Sequence, residues 1–233
     1  MLIWRTASTM LNGAVIGLAP ATRIVLLTDA LLERLPLRQV EGVMAHELGH
    51  VRRRHMIWLG VAMLGSIGIT AALGELALRW AGLLSVRPGE PPPPTDLLAL
   101  GLSAVCLLVG VVFFGFVSRR FEWQADAFAV QALSRTAPDG DPAPGPSDRE
   151  GVATAEAVDS AAAMLAAVAR INHIRPEQFS WRHGSIATRI GRIEALRGLP
   201  LDRFPIDRQV RWVKIACAAA AAAAIALAAW PPL

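Results

Sequence analysis

His46 and His50 stand four residues apart, with Glu47 beside the first, in a run that reads Met-Ala-His-Glu-Leu-Gly-His-Val-Arg over 44–52. Four residues is just over one helical turn, so on a helix both imidazoles share a face and can bind one metal ion. Glu47 can then reach a water on that metal and serve as general base. No Pro interrupts the segment. The plain alternative is a pair of surface histidines.

A catalytic zinc needs a third protein ligand and an open position. Metzincins supply that ligand as a His ten positions after the first, following a Gly. Here His55 comes nine after His46, and Arg52-Arg53 occupy the place of the Gly. His55 is therefore read as an exposed or interfacial His. The better candidate is Glu122, in Arg119-Arg-Phe-Glu-Trp-Gln-Ala-Asp126. Glu122 and Asp126 are again four apart and share a helix face. Glu122 can ligate zinc, and Asp126 can accept a hydrogen bond from the far nitrogen of a ligand His and hold its tautomer. A solvated charged face is the competing reading, weakened because Phe121, Ala125, Phe128 and Ala129 make the segment apolar.

These residues need a frame. Residues 1–28 read as two short strands, the first ending in Ala14-Val-Ile-Gly17, the second over Arg23–Thr28, with Gly17, Pro20 and Ala21 at the turn. Thr28-Asp29 is expected to cap a short helix over Ala30–Leu35 that Pro36 stops. A second helix, from near Leu37, carries Val40, Val43, Met44, Leu48 and Val51 at helical spacing and contains the histidine pair.

The rest of the frame is apolar. Of 233 residues, 54% are hydrophobic and 18% charged, against about 25% charged in a soluble domain. Mean hydropathy is +0.42, and the chain reads as a membrane protein. Three runs are apolar enough to span a bilayer: Met56–Gly74, Leu97–Val117 and the Ala-rich, shorter Ile215–Trp230. For the third, a buried core helix or a poorly ordered Ala tract is the alternative. Pro91–Pro94 makes a stiff connector between the first two runs, and 137–150, rich in Pro, Asp and Gly, reads as a mobile loop. Cys106 and Cys217 lie in different apolar runs and read as small buried residues. The basic pI of about 10.3 reflects Arg flanking apolar segments and does not point to nucleic acid. The composition, rich in Arg, Ala and Gly with one Lys, suggests a bacterial source. No secretory leader is read at Met1–Trp4, and the sequence reads as beginning inside a folded unit, with an upstream membrane segment expected to be missing.

Charge sets the expected orientation. Arg52–Arg54 precede the first run, Arg119-Arg120 follow the second, and Arg203, Arg208, Arg211 and Lys214 precede the third, whereas the intervening loop holds only Arg79 and Arg87. Positive-inside counting puts the histidine helix and the segment after Val117 in the cytoplasm, in a multi-pass protein of the bacterial inner membrane. The first two runs form a hairpin, which can return residue 122 to the side of residue 46.

The chain resembles the HtpX and type I CAAX prenyl protease family of membrane zinc endopeptidases. The resemblance is carried by Asn12–Gly17, Ile24–Leu35, Val43–His55, Arg120–Ala129 and His183-Gly-Ser-Ile-Ala-Thr-Arg189-Ile190. It implies one Zn2+ per chain on His46, His50 and Glu122, with Glu47 as base. Gly184 stands where the family usually has Pro, and family members usually carry membrane helices upstream of the strand motif. This chain has no Tyr to steady an oxyanion. On the resemblance His183 is the candidate for that role and Arg189 for positioning, an ordinary loop histidine being the alternative for His183. His173 is read as ordinary.

The expected fold is a mainly α membrane protein. A zincin-like metallopeptidase domain, with a short N-terminal β-hairpin or sheet and an active-site helix, is split by transmembrane helices. Its parts are 1–55, the first half of the catalytic domain; 56–117, a membrane hairpin; 118–212, the second half; and 213–233, a terminal membrane helix. Asn12, Ala14 and Gly17 mark a strand whose edge can pair with an extended substrate, protein or peptide, which suits quality control of membrane proteins. Partners are then such a substrate and the bilayer. A membrane sensor that signals through a metalloprotease would need a fused extracellular domain, and nothing here is long enough for one. A site-2 type intramembrane protease would need Asp-Gly in a span, and Asp139-Gly140 lies in a polar stretch. An inactive scaffold would have lost ligands that are all present.

Overall fold

The structure is a computed structural model, and it describes residues 2–7, 10, 12–17, 22, 24–81, 96–136 and 151–229. Pro91–Pro94, the 137–150 segment, Asp139-Gly140, Pro20, Ala21, Arg23, Arg87 and Trp230 lie outside the described residues. Two compact units emerge. One comprises Met1–Met56 with Arg119–Val210, the other Ile57–Ser118 with Arg211–Leu233.

The first unit opens with a three-stranded sheet of β1 (Leu2–Trp4), β2 (Gly13–Ile16) and β3 (Ile24–Thr28), in the order β1-β3-β2. β2 and β3 are the antiparallel pair expected from sequence, with Ala14 opposite Leu26. β1 is an addition, parallel to β3 with Ile3 opposite Leu27. Three exposed residues carry no alternation from which a strand can be read. β2 thus keeps one edge of the sheet among the described strands.

Thr28 stands at the start of α1 (Asp29–Arg34) but its side chain makes no capping bond. Its hydroxyl instead donates to the Asn12 carbonyl at 3.2 Å and accepts from the Asn12 N–H at 3.0 Å, tying β3 to the strand before the turn. Asp29 provides the local acceptor, for Ala30 N–H at 2.9 Å. Pro36, extended at ψ 148°, ends α1 and leads into α2 (Leu37–Arg52).

α2 turns Val40, Val43, His46 and Gly49 inward. They meet the last third of α4 (Asp96–Ser134) and the Ala-rich α5 (Ala155–Ile171). The core combines Leu27, Leu31, Val40 and Val43 with Val130, Leu133, Val158, Met164, Ile193 and Phe204. Small residues set the spacing: a Cβ at Gly42 would lie 3.1 Å from Met164 Sδ. Thr154 caps α5 through Ala157 N–H, and Ser185 caps α6 (Ile186–Glu194) through Thr188 N–H, both at 3.2 Å.

The second unit is three apolar helices: most of α3 (His55–Trp80), the apolar part of α4, and α7 (Pro205–Ala228) from Arg211 onward. Each of the three parent helices is long and apolar enough to cross a membrane; the shortest, with 24 residues, is about 36 Å long against a hydrocarbon core of about 30 Å. Leu64, Leu97 and Ile225 are largely exposed, as lipid-facing residues are. α3 and α7 approach through small residues, Gly65 against Cys217 and Ala221, and Gly68 against Ala224. Cys106 and Cys217 are buried and free. The first apolar run extends past Gly74 to Trp80, and the third is the end of a helix that starts ten residues earlier, at Pro205. α4 continues without a break from its apolar run into the Glu122 segment.

Candidate metal centre

His46 and His50 lie on the inward face of α2, and Glu122 on the facing stretch of α4. Gly49 permits the approach: a Cβ there would lie 3.1 Å from Phe128 Cβ and 3.2 Å from Ala125 Cα. The ligand atoms of His46, His50 and Glu122 all lie within 4.8 Å of one another. His46 Nε2 and His50 Nε2 are 3.1 Å apart, and each is 3.6 Å from a Glu122 oxygen. A tetrahedral centre with bonds of about 2.0–2.2 Å has ligand edges of roughly 3.3–3.6 Å. The two imidazole-to-carboxylate spacings match those edges and the spacing between the imidazoles is slightly shorter, so the three residues could hold a metal ion of that size, and two imidazoles with one carboxylate leave a fourth position open.

The second layer fixes these groups. Asp126 Oδ1 is 3.0 Å from His46 Nδ1, so the Nδ1 proton is assigned to that contact and the Nε2 lone pair to the centre. Arg189, 6% exposed, donates to both Asp126 oxygens at 2.8 and 2.7 Å and reaches Glu122 Oε2 at 3.2 Å. The sequence reading put Arg189 in a positioning role; what it touches is the two carboxylates. His183, about half exposed, lies with Nδ1 3.0 Å from Glu122 Oε1. Its loop closes through reciprocal backbone bonds between Ser180 and Gly184 at 3.2 and 2.8 Å, and Gly184 has φ +76°. Proline has neither that conformation nor the N–H that Ser180 accepts, so this loop requires the departure from Pro.

Glu47 extends from α2 toward β2. Its carboxylate takes a hydrogen bond from the Val15 backbone N–H. Gly13 brings the strand in: a Cβ there would lie 2.7 Å from Val43 Cγ1 and 3.7 Å from Glu47 Cγ. Burial raises the Glu47 pKa above the ordinary carboxylate value, against the pull of His46 and Val15. Burial, followed by the neighbouring His46, pushes His50 down to about 4. Burial opposes charge on His46 too, but Asp126 and Glu122 outweigh it and its pKa is raised.

His55 corrects the sequence reading. It is fully buried, not exposed, stacked on Phe121 with ring centroids 4.3 Å apart. Its Nδ1 is 2.9 Å from His50 Nδ1, and its Nε2 is 2.9 Å from Gln124 Oε1. The cause is a break in the helix: Arg54 adopts φ +55° between α2 and α3, which swings His55 back to His50. Gln124 donates to Asp207 at 2.6 Å. Neither Gln124 nor Asp207 was singled out from sequence, and a separation of 83 residues offers no local signal. His173 takes no part in the cluster.

A profile described as Peptidase family M48 matches residues 5–196. Among curated proteins, the chain is similar to the protein named Protease HtpX homolog of Aeropyrum pernix. The two are 38% identical over 125 residues, 52% of this chain and 38% of the relative. The protein of the same name from Listeria welshimeri is 28% identical over 142 residues, 56% of this chain and 46% of the relative. That from Methanocaldococcus jannaschii is 26% identical over 116 residues, 49% and 40%. The chain thus spans less than half the length of the curated relatives it matches. No solved structure matches it.

Proposed function

This chain belongs to peptidase family M48, and we propose that it is a zinc-dependent membrane endopeptidase that cleaves membrane proteins as quality control. The observation that carries the reading is the convergence of His46 Nε2, His50 Nε2 and the Glu122 carboxylate, whose ligand atoms all lie within 4.8 Å of one another, with Glu47 beside them. When bound, zinc acts as a Lewis acid on the scissile carbonyl and acidifies a water.

The chain's own groups do the remainder. Glu47, with its raised pKa, takes the proton of the attacking water and returns it to the leaving amine. β2, the sheet edge over Glu47, offers Asn12, Ala14 and Gly17 to pair with an extended substrate backbone, giving affinity without strict side-chain selection. His183, half exposed beside Glu122, is the group to steady the negative oxygen, an interaction of about 3 kcal/mol. Arg189 and Asp126 hold Glu122 and His46 in place. The flanking arginines support a multi-pass orientation in a bacterial inner membrane with the site on the cytoplasmic side, and the charge-poor composition supports protein and lipid, not nucleic acid, as partners.

The test is cleavage of a model membrane protein by the wild type and by Glu47→Gln, with zinc content measured on both. The variant should hold zinc and its fold and lose turnover by at least about 100-fold. Near-normal cleavage by Glu47→Gln sinks the assignment of the base, and a wild type that binds no zinc sinks the metal reading.

A further inference from the structure

Two histidines, one amide and one carboxylate form an unbroken line in the first unit. From the metal position outward it runs His50, His55, Gln124, Asp207. His50 Nδ1 meets His55 Nδ1 at 2.9 Å, His55 Nε2 meets Gln124 Oε1 at 2.9 Å, and Gln124 Nε2 donates to Asp207 Oδ1 at 2.6 Å. His55 and Gln124 are 0% and 3% exposed, so the two middle members of the line are shielded from solvent. Arg53 reaches the same Asp207 oxygen at 3.3 Å.

With neutral imidazoles, one arrangement of protons satisfies the line. A carboxylate oxygen accepts, so the Gln124 NH2 faces Asp207 and the amide oxygen faces His55. That oxygen only accepts, so His55 carries its proton on Nε2 and has a bare Nδ1. A bare Nδ1 at 2.9 Å must meet a donor, so His50 carries its proton on Nδ1. His50 Nε2 is then a lone pair directed at His46 Nε2 and Glu122, where a metal requires it. Reversing any member puts two donors or two acceptors face to face in a buried place, costing about 1–3 kcal/mol.

We propose that His55 and Gln124, oriented by Asp207, are positioning residues that lock the tautomer of His50 and so hold its Nε2 ready for the metal. The inference rests on the metal reading of His46, His50 and Glu122. His46 receives the same service from Asp126 alone. The two ligand histidines are thus set from opposite sides, one by a charge and one by a neutral relay with its charge held two groups away. The relay keeps a further negative charge out of direct contact with His50.

The test uses the full chain in detergent. Zinc affinity is measured by competition with a chromophoric chelator for the wild type, His55→Phe, Gln124→Leu and the swap Gln124→Glu with Asp207→Asn. Phe at 55 keeps a ring to stack on Phe121 but has no acceptor for His50. Both single variants should bind zinc about 10–100-fold more weakly. In the swap, the carboxylate introduced at position 124 accepts from His55, and the amide introduced at position 207 donates to that carboxylate. It should recover most of the loss. A merely structural role would not be rescued by exchanging donor for acceptor. Nitrogen NMR of histidine-labelled, metal-free protein at about pH 8, where free imidazoles are neutral, supplies the second readout. The wild type should show His50 protonated on Nδ1 and His55 on Nε2, and Gln124→Leu should show mixed tautomers. Undiminished zinc affinity in both single variants, or a wild-type His50 protonated on Nε2, overturns the relay. A wild type that takes up no zinc overturns the metal reading, and the nitrogen spectrum then decides the relay by itself.

Discussion

The Arg189 guanidinium grips Asp126 with two nitrogens, at 2.8 and 2.7 Å, both side chains being buried. The fork of donors matches the carboxylate and leaves the third nitrogen for Glu122 at 3.2 Å. One cation from α6 thereby orders two carboxylates of α4. Removing it strands both. Arg189→Ala should lower the stability of the metal-free protein by about 3–5 kcal/mol, read from chemical unfolding in detergent. Arg189→Lys, a point charge without the fork, should recover only part of it. A loss within about 0.5 kcal/mol, the range of a neutral surface change, would mean that the pair does not hold the site together.

Gly13→Ala probes the strand edge. The added Cβ would come 2.7 Å from Val43 Cγ1, and a β-branched side chain is slow to yield. β2 should move off α2. Cleavage should fall while zinc content stays at one ion per chain, because the strand bears none of the proposed ligands. Equal turnover in the variant and the wild type would remove β2 from substrate binding.

Arg54 holds φ +55°, a conformation that costs a non-glycine residue roughly 1–2 kcal/mol. Arg54→Gly should be tolerated or mildly stabilising, and Arg54→Val should destabilise by about that amount. The Val variant should also bind zinc more weakly, since His55 follows directly. Thermal unfolding with chelator competition checks both; a Val variant as stable as Arg would deny the bend its importance.

Acid should loosen the first unit through α5. Arg38 donates from Nε and Nη2 to Glu156 at 2.9 Å each, and from Nη2 to the Leu133 carbonyl at 2.6 Å. The Arg38 hydrogen bond lowers the Glu156 pKa from 4.5. A lowered carboxylate pKa contributes stability that is fully present above the unfolded value and is lost as pH falls through the folded one. Unfolding measured from pH 7 downward should show a loss beginning near the ordinary Glu value. Glu156→Gln should be less stable at neutrality and flatter in acid. Parallel curves for the two proteins would exclude the pair as the cause.

The grouping of His46, His50 and Glu122 was legible in the sequence because helical spacing carries it within each helix, and the two apolar runs promise a chain that leaves and returns. The β2–β3 pair and the helix from Leu37 were legible from turn residues and apolar period. His55 was not. Continued along a helix it falls half a turn from His46, and only the left-handed Arg54 returns it to His50. Nor was the grip of Arg189 on Asp126, which spans 63 residues, or β1, which is too short to alternate. What the sequence conceals here is set by single backbone dihedrals and by long-range contacts.

The charged groups around the site also have an electroneutrality. Glu122 and Asp126, together with Glu47 when ionised, set three carboxylates against the one guanidinium of Arg189. Two negative charges remain, the amount that a divalent cation neutralises. A monovalent ion would leave the pocket anionic and a trivalent ion would leave it cationic, either at a high solvation penalty in so buried a place. In the proposed cycle the sum does not change: the proton that Glu47 takes comes from the attacking water, and the negative charge that water leaves behind passes to the scissile carbonyl oxygen.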